Sequence, residues 1–503
     1  MERVFKKWIA LVLFTIFITR ITTLFTPLID DEEAFATFAR VILHGGLPYV
    51  SVVDKHPPLL YYWYALWLRL FGDTNMLAVH IIGMLWVFLT CLVIYRIGKK
   101  IYSDRAGFFA ALAYAIFTTT YKPSYISISA SLIMALPITL SVLFFLKERF
   151  FLCGIFCGLA VFTKYQSLVQ LPFIIAAIFY TGIHFKTPSP LMGEGGGDGK
   201  NRIAARLAAF IAGTTVVSAA VLGFLYFQGT LSPFYEYTWK AGLSYVSTGQ
   251  DGYLRRALVN IGSYVAATAI LWVSLFYHVR AVLKKEAEIL MLGWFIFSIP
   301  AVFVGGRFYG HYFIQLLPPL CIIAGPWLLR WWNDRRAVIT ALLIIFGIGF
   351  MIPRIFYRGI ADHFGFHSLE VETKIAEYIK GRTEPSDKIF IWGVEPGLYF
   401  LAERFPATRF LWSDSLTGRL PGVVEAQRGG MDTGAFVEAR DWKLFMDDLL
   451  NNKPSYIIDC SSGNLRDYGK FPIHSYPPIS EYLAKYYTKE TAIDGVDLYR
   501  RTL

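Results

Sequence analysis

The chain has 503 residues, of which 55% are hydrophobic, 17% aromatic and 17% charged. An ordinary soluble domain carries about 25% charged residues, so a single soluble enzyme and a disordered protein are both excluded, and the mean hydropathy of +0.46 points the same way. In a soluble protein the formal charge of +11 would suggest nucleic acid; here the surplus is expected beside a membrane, with no nucleic-acid partner.

Apolar runs of roughly 17–25 residues are long enough to cross the hydrocarbon as helices. About eleven such runs are predicted, over 8–27, 76–97, 106–121, 129–146, 150–164, 167–185, 203–227, 257–279, 288–304, 311–330 and 337–353. The first follows Arg3, Lys6 and Lys7 and has no small-residue cleavage site behind it, so it reads as a retained helix. With the N-terminus in the cytoplasm, the inner loops hold 19 basic residues and the outer loops nine. That bias fits a cytoplasmic N-terminus and puts the C-terminus outside. Residues 187–200 contain TPSPLMGEGGGDG and read as a flexible cytoplasmic linker.

The first outer loop, 28–75, is more apolar than a free loop, and LLYYWYALWLRLFG (59–72) reads as an interfacial helix. From about residue 360 the charges return. Short β-like runs, KIFIW (388–392) and YIID (456–459), alternate with the helical patterns VETKIAEYIKGR (371–382) and ARDWKLFMDDLLNN (439–452). This alternation predicts a small α/β domain outside the membrane. The expected architecture is therefore mainly α: a polytopic transmembrane helical bundle over 1–358, followed by an extracytoplasmic α/β domain over 359–503.

Four stretches could carry chemistry. Asp30-Asp31-Glu32-Glu33 follows the first span directly. Adjacent carboxylates raise one another's pKa and suit a general base, a metal site or an acceptor site at the water boundary. The plain alternative is a helix N-terminus, where acids favour the dipole. Asp54-Lys55-His56-Pro57-Pro58 places a lysine on a stiff backbone near head-group level. Lys164 ends the fifth run in GLAVFTKY, on the outer face. In GGRFYGHY (305–312), Arg307 offers a fork suited to phosphate, with His311 four residues on.

These residues come from four separate segments, and the charge bias puts all of them on one side of the membrane. Carboxylates beside several cations make a site for an anionic substrate and an acid–base step. Other features point to structure. The pairs Cys153-Gly154 and Cys157-Gly158 have the spacing of helix packing, His184 and His278 lie near the inner face, and Asp459-Cys460-Ser461 lacks an evident histidine partner.

At these residues the sequence resembles the polytopic GT-C glycosyltransferases, in particular bacterial protein mannosyltransferase-like enzymes and the aminoarabinose transferase of lipid A. The resemblance spans nearly the whole chain. Its most specific stretch is DEEAFATFARVILHGGLPYVSVVDKHPPLLYYWYALWLRLFG, from Asp31 to Gly72, and it extends to GLAVFTKY, GGRFYGHYFIQLLPPL and KIFIWGVEPGLYFLA.

The resemblance implies an inverting transfer of a hexosyl or pentosyl group from a polyprenyl-phosphate donor to an extracytoplasmic acceptor (a lipid, a glycan or a protein), in the plasma (inner) membrane. Asp31 would be the base or the acid that orients the acceptor, with Glu32 its neighbour; Lys55, Lys164, Arg307 and His311 would hold the donor phosphate. Relatives often carry an acid after Asn-Thr near the start of the fourth helix. Here the region reads YISISASLIMALP, with Ser129 and Ser131, which leaves a divalent metal open. The competing readings are a lipid-linked sugar flippase, for which no internal repeat is visible, and an inactive structural relative.

Overall fold

A computed structural model describes residues 2–25, 27–28, 31–121, 126–184, 199–242, 252–282, 286–334, 366–419, 434 and 437–502. Apolar helices form the first part: α1 (Glu2–Arg20), α2 (Asp31–Leu43), α3 (Pro58–Phe71), α4 (Met76–Ile101), α5 (Asp104–Phe117), α6 (Ala130–Leu146), α7 (Phe150–Val161), α8 (Gln170–His184) and α9 (Gly199–Phe227). Then come α10 (Tyr253–Ala267), α11 (Ala269–Val282), α12 (Glu286–Phe303) and α13 (Leu317–Asn333). Among the described residues, five helical stretches are long and apolar enough to span a membrane: Lys6–Phe25, Met76–Ile101, Tyr165–His184, Lys200–Phe227 and Gly310–Asn333. Exposed Phe14, Ile18, Ile81 and Phe227 give several of them a lipid-facing side.

Local chemistry sets the boundaries. The Asn75 side chain accepts from Ala78 N at the start of α4, and Ser103 and Ser129 cap α5 and α6 in the same way. Lys99 and Lys100 sit in the last turn of α4, where cations complement the helix dipole. The apolar run 257–279, expected as one span, is instead broken into α10 and α11 with a bend of 87°. Thr268 occupies the break. Its hydroxyl donates to Tyr264 O (2.6 Å) and accepts from Trp272 Nε1 (3.0 Å), so polar groups at the interruption find partners without water. The expected span 337–353, the boundary at 358/359 and nearly all of the linker 187–200 lie outside the described residues.

Close approach of helices depends on small residues. A Cβ on Gly154 of α7 would lie 2.1 Å from Phe210 O of α9, and one on Gly213 of α9 would lie 2.1 Å from Phe151 O of α7. Gly98 of α4 meets Gly107 of α5 in the same manner, at 2.7 Å. Cys153 and Cys157 are buried free thiols within this packing.

The C-terminal unit carries α14 (Phe366–Lys380), α15 (Ala439–Asn452) and α16 (Pro477–Tyr486) around a five-stranded mixed sheet of order β2-β1-β3-β5-β4. The strands are β1 (Lys388–Trp392), β2 (Phe405–Pro406), β3 (Tyr456–Asp459), β4 (Tyr487–Ile493) and β5 (Val496–Arg501). β1 is parallel to β2 and β3; β5 is antiparallel to β3 and β4. β1 and β3 are buried on both faces. Ile389, Ile391 and Ile458 join Val371 and Ile375 of α14 and the core of the helical part. Phe390, Trp392 and Ile457 pack with Phe445 and Leu449 of α15. The β4–β5 hairpin turns on Asp494 and Gly495, both at positive φ (47° and 87°), the conformation that favours an Asp-Gly pair.

Replacing Gly154 by Val should lower the melting temperature of the detergent-solubilised protein, by the equivalent of about 1–3 kcal/mol for an overpacked contact. Gly223→Ala, a position with nothing within 4 Å of the added Cβ, should leave it near the wild-type value. Equal melting temperatures for the two variants would contradict the packing described.

Candidate active site

Helix α2 lies directly beyond the first apolar helix, and its residues from Glu32 to Val41 are buried. Asp31, at its first turn, is half-buried, whereas Glu32 and Glu33 are 0% and 1% exposed. The helix dipole favours acids here, but a buried carboxylate also needs donors. Glu32 accepts from the backbone N–H of Ile128 and sits 3.1 Å from His80 Nε2 of α4. Tyr64 of α3 donates to Ile128 O at 2.6 Å, and Arg20 at the end of α1 donates to Ile126 O at 2.6 Å. The segment 126–129 is thus held to α1, α2 and α3 by polar contacts. Glu33 faces the other way, towards Arg466 of the C-terminal unit.

Lys55 lies on a loop between α2 and α3. Val53 N donates to Arg409 O at 2.9 Å and tacks this loop to the C-terminal unit. Asp54 organises the turn: it accepts from Lys55 N (2.7 Å) and Tyr61 OH (2.6 Å), and its Oδ2 lies 2.8 Å from His56 Nδ1. Burial alone would push the Asp54 carboxyl up; the His56 ring, Lys55 and the Tyr61 hydroxyl outweigh it and hold the carboxyl down at about 2. Across the loop, burial raises the Asp414 carboxyl of the C-terminal unit, against the pull of Arg419 and, more weakly, of Lys55.

Lys164 ends the α7 segment and is 5% exposed. Its Nζ donates to Ser131 Oγ at 2.6 Å and lies 4.9 Å from the centre of the Tyr312 ring. The His311 ring packs edge-on against Tyr312 at 4.9 Å. Ser129 caps α6, and Ser131 meets the lysine. Arg307, 2% exposed, follows two glycines at positive φ, Gly305 (84°) and Gly306 (62°). Arg256 Nε donates to Gly306 O at 3.1 Å and braces that turn.

The expected site residues therefore fall into three groups. Asp31 and Glu32 open α2, and Glu32 reaches the 126–131 segment. Through Ser131 that segment meets Lys164, Tyr312 and His311. Arg307 belongs to the neighbouring glycine turn, and Lys55 to the loop facing Asp414. Sequence reading missed His80, Tyr64, Glu372, Glu395 and Arg466, whose partners are remote in sequence and leave no spacing to detect. Arg20 did leave a signal, as a charge inside an apolar run. Asp459, Cys460 and Ser461 form a turn after β3, where Asp459 accepts from Ser461 N at 2.9 Å and from its hydroxyl.

Comparison with known proteins adds three findings. The family model described as dolichyl-phosphate-mannose-protein mannosyltransferase matches residues 55–194. No curated protein matches the chain. Among solved structures, ArnT from Cupriavidus metallidurans bound to undecaprenyl phosphate is similar at 14% identity and a TM-score of 0.61, over 98% of this chain and 97% of that one. The apo oligosaccharyltransferase of Archaeoglobus fulgidus is similar at 12% identity and a TM-score of 0.55, over 99% of this chain and 74% of that one. Over nearly its whole length the chain shares the fold of these two enzymes, in line with the architecture that the resemblance implied.

Proposed function

We propose that this protein is a multi-pass glycosyltransferase that moves a hexosyl or pentosyl group from a polyprenyl-phosphate carrier to an extracytoplasmic acceptor, with inversion at the sugar carbon. The observation that carries this reading is the chain of contacts from the Glu32 carboxylate through segment 126–131 to the buried Lys164 ammonium and the His311 ring. A buried ammonium beside a hydroxyl and an aromatic ring suits an incoming phosphate. The likeness in fold to a protein solved with undecaprenyl phosphate supports the donor class.

On this reading Asp31, the half-buried member of the pair, takes the proton from the acceptor hydroxyl as that oxygen attacks the sugar carbon. The bond from that carbon to the phosphate oxygen breaks, and the polyprenyl phosphate leaves with the electron pair. Lys55, Lys164, Arg307 and His311 stabilise charge growing on the phosphate. Glu32 is held by Ile128 N–H and His80 and keeps the pair in register. The N-terminus is read as cytoplasmic and the unit over 359–503 as extracytoplasmic, in the plasma (inner) membrane, so the donor tail lies in the outer leaflet.

Asp31→Asn should reduce release of polyprenyl phosphate by about 10²–10⁴-fold, the usual contribution of a positioned base, with wild-type melting behaviour. Near-normal turnover in that variant would refute the role. Arg307→Ala should raise the donor KM or lower kcat more than it affects the acceptor KM, measured with a panel of polyprenyl-phosphate sugars; unchanged donor kinetics would remove Arg307 from the phosphate site.

A further inference from the structure

Helix α2 is gripped on its far side by a second polar cluster that the proposed chemistry does not use. Glu33 projects into the C-terminal unit and meets Glu372 of α14 and Glu395 of the turn after β1. One carboxyl oxygen from each lies within 4.8 Å of the others. The three side chains are 1%, 0% and 0% exposed. Arg466 sits among them: its Nη2 is 3.1 Å from Glu33 Oε1 and 3.7 Å from Glu372 Oε1, and its Nε is 2.8 Å from Glu395 Oε2. The backbone is shaped for this contact. Arg466 has φ 47°, and a Cβ on Gly397 would fall 2.9 Å from Glu33 Cδ. Neither oxygen of Glu372 receives a hydrogen bond from a described residue.

Charge counting constrains the cluster. Three ionised carboxylates around one guanidinium would leave two negative charges uncompensated on residues at most 1% exposed, Arg466, with 31% of its side chain exposed, being the member that reaches the surface; burying such charges is costly. A divalent cation would balance them, but the Arg466 guanidinium, 2.8–3.7 Å from an oxygen of each glutamate, would repel a second cation placed beside it. Protons are the remaining means, as in carboxyl pairs that share a proton because two like charges at contact cannot both ionise. We propose that Glu33 and Glu372 retain their protons around Arg466, whose Nε pairs with Glu395, and that this protonated clamp positions α2, and with it Asp31 and Glu32, against the C-terminal unit. The positioning part rests on the transferase reading above; the clamp itself does not.

Direction follows from burial. Burial pushes the Glu33 carboxyl up to about 7, against the pull of Arg466 and with added push from Glu395 and Glu32. Burial, with Glu395 and Glu33 adjacent, pushes Glu372 well above the usual carboxylate range. Cys460 also faces the cluster, and burial raises its thiol, so it stays neutral. A carboxyl raised on folding contributes stability that is fully present below its unfolded pKa and is lost as pH rises through the folded one. The clamp is therefore tight below about pH 5 and loosens through about pH 7.

The test uses the full chain in detergent. Wild-type melting temperature should fall by several degrees between about pH 5 and about pH 8, while amide exchange in α2 and in 460–470 speeds up. Glu372→Gln, which carries the shape of the protonated acid without its charge, should remove most of that fall; if it does not fold, Glu33→Gln should do the same. Over the same range kcat should drop several-fold in wild type but not in the glutamine variant, with the donor KM unchanged. A flat or rising wild-type melting profile, a wild-type slope in a folded glutamine variant, or a melting temperature that responds to Mn²⁺ or to chelator would each overturn the clamp. No turnover in any variant, with the melting slopes as expected, would count against the transferase reading and the positioning role while leaving the clamp intact.

Discussion

A glutamate shut away from water must be given donors, and much of the site's arrangement follows from how Glu32 obtains them. One comes from the backbone of Ile128 and the other from His80. Losing either would leave a buried acceptor unpaired, at a cost of about 1–3 kcal/mol. The requirement ties α2 to α4 and to the segment before α6. Tyr64 and Arg20 tie the same segment to α3 and α1. Next along this segment, Ser131 meets the Lys164 ammonium, so carboxylates and cations from distant parts of the chain share one stretch of backbone.

The opposite side of α2 is bound with equal care. Thr37 donates to Pro396 O at 3.0 Å, and Arg40 donates to Glu403 O at 3.0 Å while lying over the Phe405 ring. Together with Glu33–Arg466, these contacts place α2 between the helical part and the C-terminal sheet. The sheet has apolar residues on both faces of β1 and β3 for the same reason: α15 covers one face, and the other is continuous with the core beneath α14. The C-terminal unit therefore acts as one wall of the region that contains the carboxylate pair.

The cations illustrate how a charged side chain is afforded a buried place. Lys164 rests against a hydroxyl and an aromatic face, both of which tolerate an ammonium in low dielectric. Arg307 is delivered by a turn that needs two glycines at positive φ, and Arg256 braces that turn through Gly306 O. Asp54 does similar work for Lys55, fixing His56, Tyr61 and the lysine's own backbone N–H at once. Lys55 and the Arg307 turn draw on neighbours in sequence, Asp54 and the two glycines, and so were legible as motifs, whereas Lys164 meets Ser131 and Tyr312 from remote parts of the chain.

Hydrophobic length and period were enough, from the sequence by itself, to identify the apolar helices, the change of composition near 360, the strands 388–392 and 456–459 and the helix 439–452, because burial imposes those patterns residue by residue. The acid run, the lysines and the glycine–arginine turn stood out because charge and positive φ are exceptional in apolar surroundings. The hairpin on Asp494 and Gly495 was not read from the sequence, nor were the two strands beside it. Other features were decided only by tertiary structure. The break at Thr268 depends on a hydroxyl finding Tyr264 and Trp272 inside an otherwise uniform apolar run. The choice of Glu32 for the helical side and Glu33 for the C-terminal side follows from successive residues pointing to different faces of a helix. Arg466, 433 positions from Glu33, could be matched to its carboxylates only once the fold had closed, since a buried charge is paired by proximity in space and leaves no period in sequence.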